Sequence, residues 1–535
     1  MKKYIFLLSA ALCIALYSFQ MPKTETQKPN ILFIALDDLK PLLNCYGAKQ
    51  MHTPNIDRLA QMGTVFMNNY CQQAVCGPTR ASLLTGQRPD FTRIWDLKTQ
   101  IRDMNPDIVT LPQYFKQNGY TTGGIGKVFD QRSVDKGYET RSWTLPYTTY
   151  FKSKPNEYAN GLPPTDDYYQ APETLQLIER IKNAAKANGL SGDKLDAYMK
   201  LNRGPAYESA DVPDDAYNDG VIARKAVETI GELAKTKQPF FYAVGFSKPH
   251  LPFCAPKKYW DMYDRSKISI AEFQQLTKGT PQFAFQPSSE LVNNYVLPNG
   301  ERYATGYIPK AEAQQKELIH GYYAAVSYAD AQVGKLLDAL EKQGLMQNTI
   351  IVLWGDHGWH LGDHAMWCKH TNFEQATHAP LIIVTPQYKG NQKANGLTEF
   401  VDVYPTLTDL AGLKTPDGLA GISLVPVLKN PKKVLKTYAQ SQYPRSKGDN
   451  TDLEGNGLMG YTIRTKRYRY TAWFEEDYKK NKILGTAKPI AIELYDYKTD
   501  PNETENLATK PNYLKVTKEH EKMMTAFLTN QKQSR

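Results

Sequence analysis

Four short apolar segments stand out along the chain, each followed within three residues by polar or charged residues. They cover Asn30–Leu36, Phe240–Gly245, Thr349–Leu353 and Leu381–Val384, and such runs predict buried strands. A long helical pattern over Ala311–Gly344 stops at a glycine. Because strands alternate with helical segments, the pattern predicts an α/β fold in which helices cover a central sheet.

The pattern changes near Lys429, where alternating polar and apolar residues favour antiparallel strands. Three strands and a terminal helix are predicted in this region, at Tyr461–Thr465, Arg467–Trp473, Glu493–Asp496 and Tyr513–Asn530. We therefore expect a larger catalytic unit over 28–430 and a smaller α+β subdomain with an antiparallel sheet over 431–535.

Two long segments lack clear periodicity. Leu145–Pro213 and Ile268–Pro309 are rich in Pro, Tyr, Asn and Gly. We predict that both are loops or insertions over the active face, where substrate selectivity usually resides.

The N-terminus is typical of a secretory signal. A basic start, Met1-Lys2-Lys3, precedes an apolar stretch within residues 1–20, which we interpret as a signal peptide. Leu12 is too bulky before Cys13 for a good lipoprotein site, so release or a periplasmic location is favoured over lipid anchoring. No other stretch is long and apolar enough to predict a membrane span.

Composition narrows the class of partner. The chain has 535 residues, 41% of them hydrophobic and 22% charged, which is typical of a globular protein. Its net charge of +10 falls to +8 when Lys2 and Lys3 leave with the signal, and this excess favours anionic partners. The basic residues form no dense block interleaved with aromatics, so a sulfated polymer is favoured over nucleic acid. Six cysteines do not predict a dense disulfide framework.

Polar residues follow three of the predicted strands. Asp37 and Asp38 come after the first, His250 after the second, and Asp356 and His357 after the third. In open α/β sheets the chemistry lies at the carboxyl ends of the strands, so we expect these side chains to meet. Three carboxylates suit calcium or magnesium, whereas the softer imidazole of His357 leaves the choice of divalent metal open.

The sequence Cys76-Gly77-Pro78-Thr79-Arg80, followed by Ala81-Ser82-Leu83-Leu84-Thr85-Gly86, is the most informative motif. The spacing of Cys76 from Cys71 fits no common zinc pattern. The run resembles the maturation signature of type I sulfatases. Further matching motifs follow in the family's order, namely Gly126-Lys127, Lys248-Pro249-His250, Asp356-His357-Gly358-Trp359 and Lys369, and their details most resemble the iduronate-2-sulfatase group.

This resemblance implies an alkaline-phosphatase-like sheet between helices and a formylglycine-dependent mechanism. A maturating enzyme would oxidise Cys76 to formylglycine, whose hydrate attacks the sulfur of a sulfate ester. The implied ligands of one Ca²⁺ are Asp37, Asp38, Cys76, Asp356 and His357. Arg80 and Lys127 would hold the hydrate, Lys369 would bind sulfate, and His250 would protonate the departing sugar oxygen. Trp359 and His370 are the predicted substrate-binding residues.

The chain departs from the family at two of these positions. Asp130 stands three residues after Lys127, where iduronate-2-sulfatases have histidine, and His370 replaces a tyrosine after Lys369. Asp130 could be the base that collapses the hemiacetal, or it could face away within a reorganised pocket. Iduronate specificity is therefore not implied by the resemblance alone.

We expect a secreted, exo-acting sulfatase that acts on a sulfated glycan in an iduronate-2-sulfatase-like reaction. A sulfatase for ulvan- or carrageenan-type polysaccharides is one alternative. A phosphatase or phosphotransferase of the alkaline phosphatase superfamily is another, although such enzymes use an unmodified serine or threonine and typically two zinc ions. A non-catalytic glycan-binding relative would show an eroded site.

Overall fold

The computed structural model describes residues 28–135, 138–149, 155–445, 457–475 and 488–533. The predicted signal peptide over 1–20, including Cys13, lies outside the described residues. In the described part, no helix is both long and apolar enough to cross a membrane. The five cysteines in this part are all free thiols, which agrees with the expectation that no dense disulfide framework holds the fold.

A seven-stranded mixed sheet forms the centre of the molecule, in the order β11-β2-β10-β7-β1-β5-β3. Its strands are β1 (Asn30–Leu36), β2 (Thr64–Tyr70), β3 (Thr121–Gly126), β5 (Phe240–Phe246), β7 (Thr349–Gly355), β10 (Leu381–Val384) and β11 (Gln392–Glu399). Strands β3, β5, β1 and β7 run parallel, whereas β10 is antiparallel to both of its neighbours. All four strands predicted from apolar runs belong to this sheet, so that prediction is confirmed.

Helices cover both faces of the sheet, as predicted. They are α1 (Pro54–Met62), α2 (Cys76–Thr85), α3 (Pro89–Thr92), α4 (Ile101–Met104), α5 (Leu111–Gln117), α6 (Pro172–Ala187), α7 (Gly192–Lys200), α8 (Asn218–Ala234), α9 (Lys257–Trp260), α10 (Ser289–Asn294), α11 (Glu312–Lys342), α12 (Glu374–Thr377), α13 (Val403–Leu410), α14 (Val425–Lys429) and α15 (Leu514–Gln533). Alternate β1 side chains enter two separate apolar cores, with Leu32 and Ile34 on one face and Ile31 and Phe33 on the other.

The first segment predicted as a loop is partly helical. It contains α6 and α7, together with the short strand β4 (Tyr207–Ala210), which pairs in parallel with β6 (Phe253–Pro256). Only Thr174, Leu177, Ile178 and Ala185 are buried in α6, and only Leu195 in α7, so their apolar periodicity is too sparse to stand out. The second segment agrees better with the prediction, because its helical elements are the six-residue helix α10 and one 3₁₀ turn at Gln282–Ala284.

A second, four-stranded antiparallel sheet forms the C-terminal subdomain. Its strands, in spatial order, are β12 (Tyr438–Arg445), β13 (Leu458–Thr465), β14 (Tyr468–Glu475) and β15 (Ala491–Asp496). Helix α15 packs on this sheet through Met524, Phe527 and Leu528. The three predicted strands and the terminal helix are confirmed, whereas β12 was not predicted, and the boundary at residue 430 stays a prediction.

Candidate active site

Two neighbouring parallel strands bring three carboxylates together. Leu36 at the end of β1 lies in register with Gly355 at the end of β7, so Asp37-Asp38 and Asp356-His357 emerge side by side. The Asp356 Oδ1 accepts the backbone N–H groups of Asp38 (2.9 Å) and His357 (3.0 Å). Asp38 has a left-handed backbone (φ 59°), which lets the chain turn sharply there. The predicted meeting of these side chains is confirmed.

Cys76 is the first residue of α2 and points into this cluster. Its Sγ lies 3.5 Å from His357 Nε2 and 4.0 Å from Asp38 Oδ1. Burial raises the pKa of the Cys76 thiol well above its ordinary value, and the charge of Asp37 raises it further. An unmodified Cys76 would therefore be a protonated thiol and a poor nucleophile at neutral pH.

The residues around Cys76 in the signature also shape the backbone. A Cβ on Gly77 would lie 3.0 Å from the carbonyl oxygen of Asp96, so a larger residue would crowd that contact. The Thr79 hydroxyl donates to the carbonyl of Gln73 and thereby ties the helix to the preceding loop. Gly86 ends α2 in a left-handed conformation (φ 65°), which glycine adopts without strain.

The cluster fits one divalent cation. The donors form two overlapping sets, one of Asp38, Cys76 and His357 and the other of Asp37, Cys76 and Asp356. Within each set, the donor atoms lie within 4.8 Å of one another. His357 Nδ1 lies 3.0 Å from the Gly358 carbonyl oxygen, which orients Nε2 toward the donors. Burial raises the pKa of Asp38, and the negative charge of Asp37 raises it further. A bound cation would offset this crowding of negative charge.

The buried guanidinium of Arg80 binds two carboxylates of the cluster. Its side chain is fully buried, and its Nε and Nη2 donate to Asp356 Oδ2 and Asp37 Oδ1, each at 3.0 Å. Nη1 donates to the carbonyl oxygens of Lys127 and Val128. Because these contacts occupy all three guanidinium nitrogens, Arg80 fixes the positions of the Asp37 and Asp356 carboxylates. The predicted contact of Arg80 with the nucleophile is not among them.

Two lysines and a histidine surround the mouth of the cluster. Lys127 Nζ lies 2.5 Å from Asp37 Oδ2, and Lys369 Nζ lies 3.0 Å from Asp38 Oδ2. His250 Nε2 lies 3.7 Å from Asp38 Oδ2, and all three side chains line the same pocket. The structure therefore brings together Lys127, Lys369 and His250, which are predicted to hold the hydrate, bind sulfate and protonate the leaving oxygen.

Glu290 was not predicted, yet it joins two of these groups. Its Oε1 lies 3.0 Å from His250 Nε2, and its Oε2 lies 2.8 Å from Lys369 Nζ. Glu290 belongs to α10, inside the segment interpreted as a loop. No periodicity or motif in the sequence marks this residue.

Asp130 is buried and paired with an arginine. Its Oδ1 accepts from Arg132 Nε at 2.9 Å, its Oδ2 accepts from Arg132 Nη2 at 2.8 Å, and Lys127 Nζ lies 3.8 Å from Oδ2. Burial alone would raise the pKa of Asp130, but the hydrogen bonds and charge of Arg132, together with Lys127, lower it to about 2. A carboxylate of such low pKa is a weak base, which disfavours the first of the two predicted roles.

The pocket above the cluster has a volume of about 450 Å³, and most of its accessible lining is polar. His370 lines it, and burial lowers the pKa of His370 to about 3, so the ring is neutral at pH 7. Trp359 is fully buried, and its ring packs beneath Lys369, with Nζ 4.9 Å from the ring centre. This position disagrees with the predicted contact between Trp359 and substrate, because a side chain with no accessible surface cannot touch a ligand in the pocket.

Comparisons with known families agree with this arrangement. The model of the Sulfatase family matches residues 29–413, and a model described as the C-terminal part of N-sulphoglucosamine sulphohydrolase matches residues 362–530. Human iduronate 2-sulfatase is 32% identical to this chain, and the match covers 94% of the chain and 95% of that protein.

Solved structures share the fold. A 2-O GAG sulfatase superposes with a TM-score of 0.63 at 23% identity, covering 94% of this chain and 93% of the other. The phosphonate monoester hydrolase of Agrobacterium radiobacter superposes with a TM-score of 0.68 at 22% identity, covering 94% and 96%. The fold is thus the alkaline-phosphatase-like α/β fold with a small C-terminal subdomain. Both the family match and the extent of identity show that this chain belongs to the sulfatase family, the hydrolases of sulfuric esters.

Proposed function

We propose that this protein removes sulfate from a sulfated glycan, with an oxidised residue 76 as the nucleophile. The observation that carries the proposal is the position of Cys76. Its side chain lies at the start of α2, between the carboxylate cluster and a pocket lined by Lys127, His250 and Lys369. The raised pKa of its thiol supports a modified nucleophile, because cysteine itself would be unreactive here.

Formylglycine at position 76, formed by a sulfatase-maturating enzyme, would supply a hydrated aldehyde that attacks sulfur. The side chains of Asp37, Asp38, Asp356 and His357, together with residue 76, would hold Ca²⁺. This ion would offset the negative charge of the sulfate group. Arg80 holds Asp37 and Asp356 in place for this purpose.

Lys369 would bind sulfate oxygens from the pocket side, and Lys127 would hold the hydrate at residue 76. Fixed cations stabilise charge that develops on the ester during cleavage, and they need no rearrangement when they are held beforehand. Lys369 is held by Asp38 and Glu290, and Lys127 by Asp37 and Asp130.

His250 would donate a proton to the departing sugar oxygen. Its Nδ1 lies 2.5 Å from the Leu251 carbonyl oxygen, an interaction that assigns a proton to Nδ1. The proton to be transferred would lie on Nε2, which faces the pocket 3.0 Å from the Glu290 Oε1 acceptor. The backbone before His250 is fixed, because Asp219 accepts the N–H groups of Ser247 (2.9 Å) and Lys248 (2.8 Å). The imidazole is therefore held where a leaving group would emerge.

The substrate we favour is the terminal sulfated uronic acid of a glycosaminoglycan, cleaved in an exo manner. The similarity to iduronate 2-sulfatase over most of both chains supports this choice, and a pocket of about 450 Å³ suits a small ligand better than a long polymer. The replacement of a family tyrosine by His370 keeps ulvan- and carrageenan-type substrates as the competing choice. Export through the segment 1–20 is part of the same proposal.

The test is sulfate release from a panel of defined oligosaccharides by protein produced together with a maturating enzyme. The panel contains 2-sulfated uronate disaccharides, ulvan- and carrageenan-type oligosaccharides and a phosphate monoester. We expect release from at least one sulfated sugar and none by the Cys76→Ala variant. Turnover of the phosphate ester alone, or unchanged turnover by Cys76→Ala, would overturn the proposal.

A further inference from the structure

Arg132 is held rigidly at the pocket while part of its guanidinium stays available. The buried Asp130 carboxylate binds its Nε and Nη2, and the Asp130 Oδ1 also accepts its backbone N–H at 3.0 Å. The Arg132 side chain is nevertheless 48% exposed and lines the pocket. Within the described part of the chain, its Nη1 makes no hydrogen bond. A guanidinium group that is held in place, with one nitrogen free to donate, is suited to bind an anionic oxygen.

Arg203 presents a second guanidinium group to the same pocket, where its side chain is 32% exposed. It follows α7, and its backbone N–H donates to the Asn294 carbonyl oxygen at 3.0 Å. Its Nε is buried without a hydrogen-bond partner among the described residues, and the nearest carboxylate oxygen, Asp166 Oδ2, is 3.9 Å away. Because Nε is itself buried, a ligand oxygen in the pocket would be bound by Nη1 or Nη2, which make no hydrogen bond to another described residue.

The basic side chains of the pocket fall into two groups. Lys127, His250 and Lys369 surround the cluster at residue 76, whereas Arg132 and Arg203 come from separate segments of the wall. Arg132 neutralises Asp130 through Nε and Nη2, and this pairing leaves Nη1 without a partner among the described residues. The two arginines could therefore bind an anionic group of a ligand in this pocket.

We propose that Arg132 and Arg203 form a second anion subsite that binds a carboxylate or a second sulfate of the substrate while its scissile sulfate lies at residue 76. This inference rests on the proposed sulfatase function and extends it to a substrate class, namely sugars with two anionic groups. A carboxylate and a sulfate offer the same paired oxygens to an arginine. Substrates that differ only in one of these groups are therefore needed to show which of them is bound.

The experiment compares pairs of substrates that differ in one anionic group. One pair is a 2-sulfated uronate disaccharide and its carboxyl-reduced form, and the other is a disulfated glucosamine and its monosulfated form. Steady-state kinetics of Arg132→Gln, Arg132→Lys and Arg203→Gln are compared with wild type. Arg265→Gln is the matched control, because Arg265 is 45% exposed and pairs with Glu317 outside this pocket.

We expect wild type to prefer the doubly anionic member of one pair, which identifies the group bound. Arg132→Gln should reduce kcat/KM for that member by roughly 10- to 100-fold, mainly through KM, and leave the other member within about threefold. Arg132→Lys should recover only part of the loss, because an ammonium lacks the fork. Arg203→Gln should act in the same direction, whereas Arg265→Gln should not.

Binding measurements keep this inference separate from the proposed function. Calorimetry of the Cys76→Ala variant with the same pairs reports affinity without turnover, and thermal unfolding verifies that each variant is folded. If wild type releases no sulfate yet the pairs bind differently in an Arg132-dependent manner, the function fails and the subsite stands. Equal losses on both members of each pair, or no loss in folded Arg132→Gln and Arg203→Gln, would overturn the subsite.

Discussion

Replacement of Asp130 by asparagine removes a buried negative charge and leaves the size of the side chain almost unchanged. In the wild type, both carboxylate oxygens accept from Arg132, and one lies 3.8 Å from Lys127 Nζ. Asparagine retains one acceptor oxygen but cannot pair with the guanidinium on both sides. Asp130→Asn therefore tests whether this residue acts as a base or holds its neighbours in position.

The stability change follows from the pKa of Asp130, which is lowered from 3.8 to about 2. At about 1.4 kcal/mol per unit, the charged form stabilises the fold by about 2 kcal/mol at neutral pH. Because the pKa in the folded state is depressed, this contribution is present above the ordinary value near 4. It is lost as the pH falls from about 4 to about 2.

The kinetic change should be small in kcat. A carboxylate with this pKa is ionised throughout the neutral range and accepts a proton poorly, so we expect kcat within about threefold of wild type. KM should rise, by up to roughly tenfold, because Arg132 loses its rigid support. If Asp130 were the base, kcat should instead fall by roughly 10²- to 10⁴-fold.

The assay is sulfate release as a function of substrate concentration and pH, together with thermal unfolding. Asp214→Asn is the matched control, because Lys258 and Lys335 help to lower the pKa of Asp214 to about 2 against its burial. Asp214 lies outside the pocket-lining set, so the control should lose similar stability without the change in KM. A hundredfold loss of kcat in folded Asp130→Asn, with a displaced acidic limb, would refute the positioning role.

Three further outcomes are expected. Chelation should abolish sulfate release, and Ca²⁺ should restore it better than Zn²⁺; two tightly bound zinc ions in metal analysis would contradict the oxygen-rich single site. Glu290→Gln should lower kcat roughly tenfold with little change in KM, since Glu290 orients His250 and Lys369; an unchanged kcat would argue against that role. Arg80→Gln should lower the free energy of unfolding of the metal-free protein by roughly 3–5 kcal/mol, measured by denaturant titration, because it leaves the buried Asp356 without its arginine and Asp37 with Lys127 alone; a loss below about 1 kcal/mol would contradict it.

The central sheet and the cluster at its edge could be predicted from the sequence because their signals are local. Every residue of β1, β5, β7 and β10 is buried, so each strand is a continuous apolar run that ends where the polar residues begin. Parallel neighbours then place Asp37 beside Asp356. The antiparallel β12 was missed because it carries buried polar side chains, including Gln440 and Ser441, which are satisfied by hydrogen bonds and interrupt the apolar pattern.

The wall of the pocket could not be predicted in the same way. Glu290 and Arg203 lie far apart along the chain and meet at the pocket only through tertiary contacts of α10 and the turn after α7. Arg132 lies two residues from Asp130, and a pair at this spacing in a loop carries no periodic signal. Trp359 belongs to a matched motif, yet its role is to support Lys369 from within the core. The motif thus predicted which segment lies near the site, but not which of its side chains contact the pocket.

The most direct test of the central claim is the mass of the peptide that contains residue 76, isolated from protein produced with a sulfatase-maturating enzyme. We expect a peptide lighter than the cysteine form, with the mass of formylglycine at position 76, in a fraction of molecules that scales with the specific activity in sulfate release. Full sulfatase activity in protein whose residue 76 is entirely unmodified cysteine would contradict the proposed nucleophile.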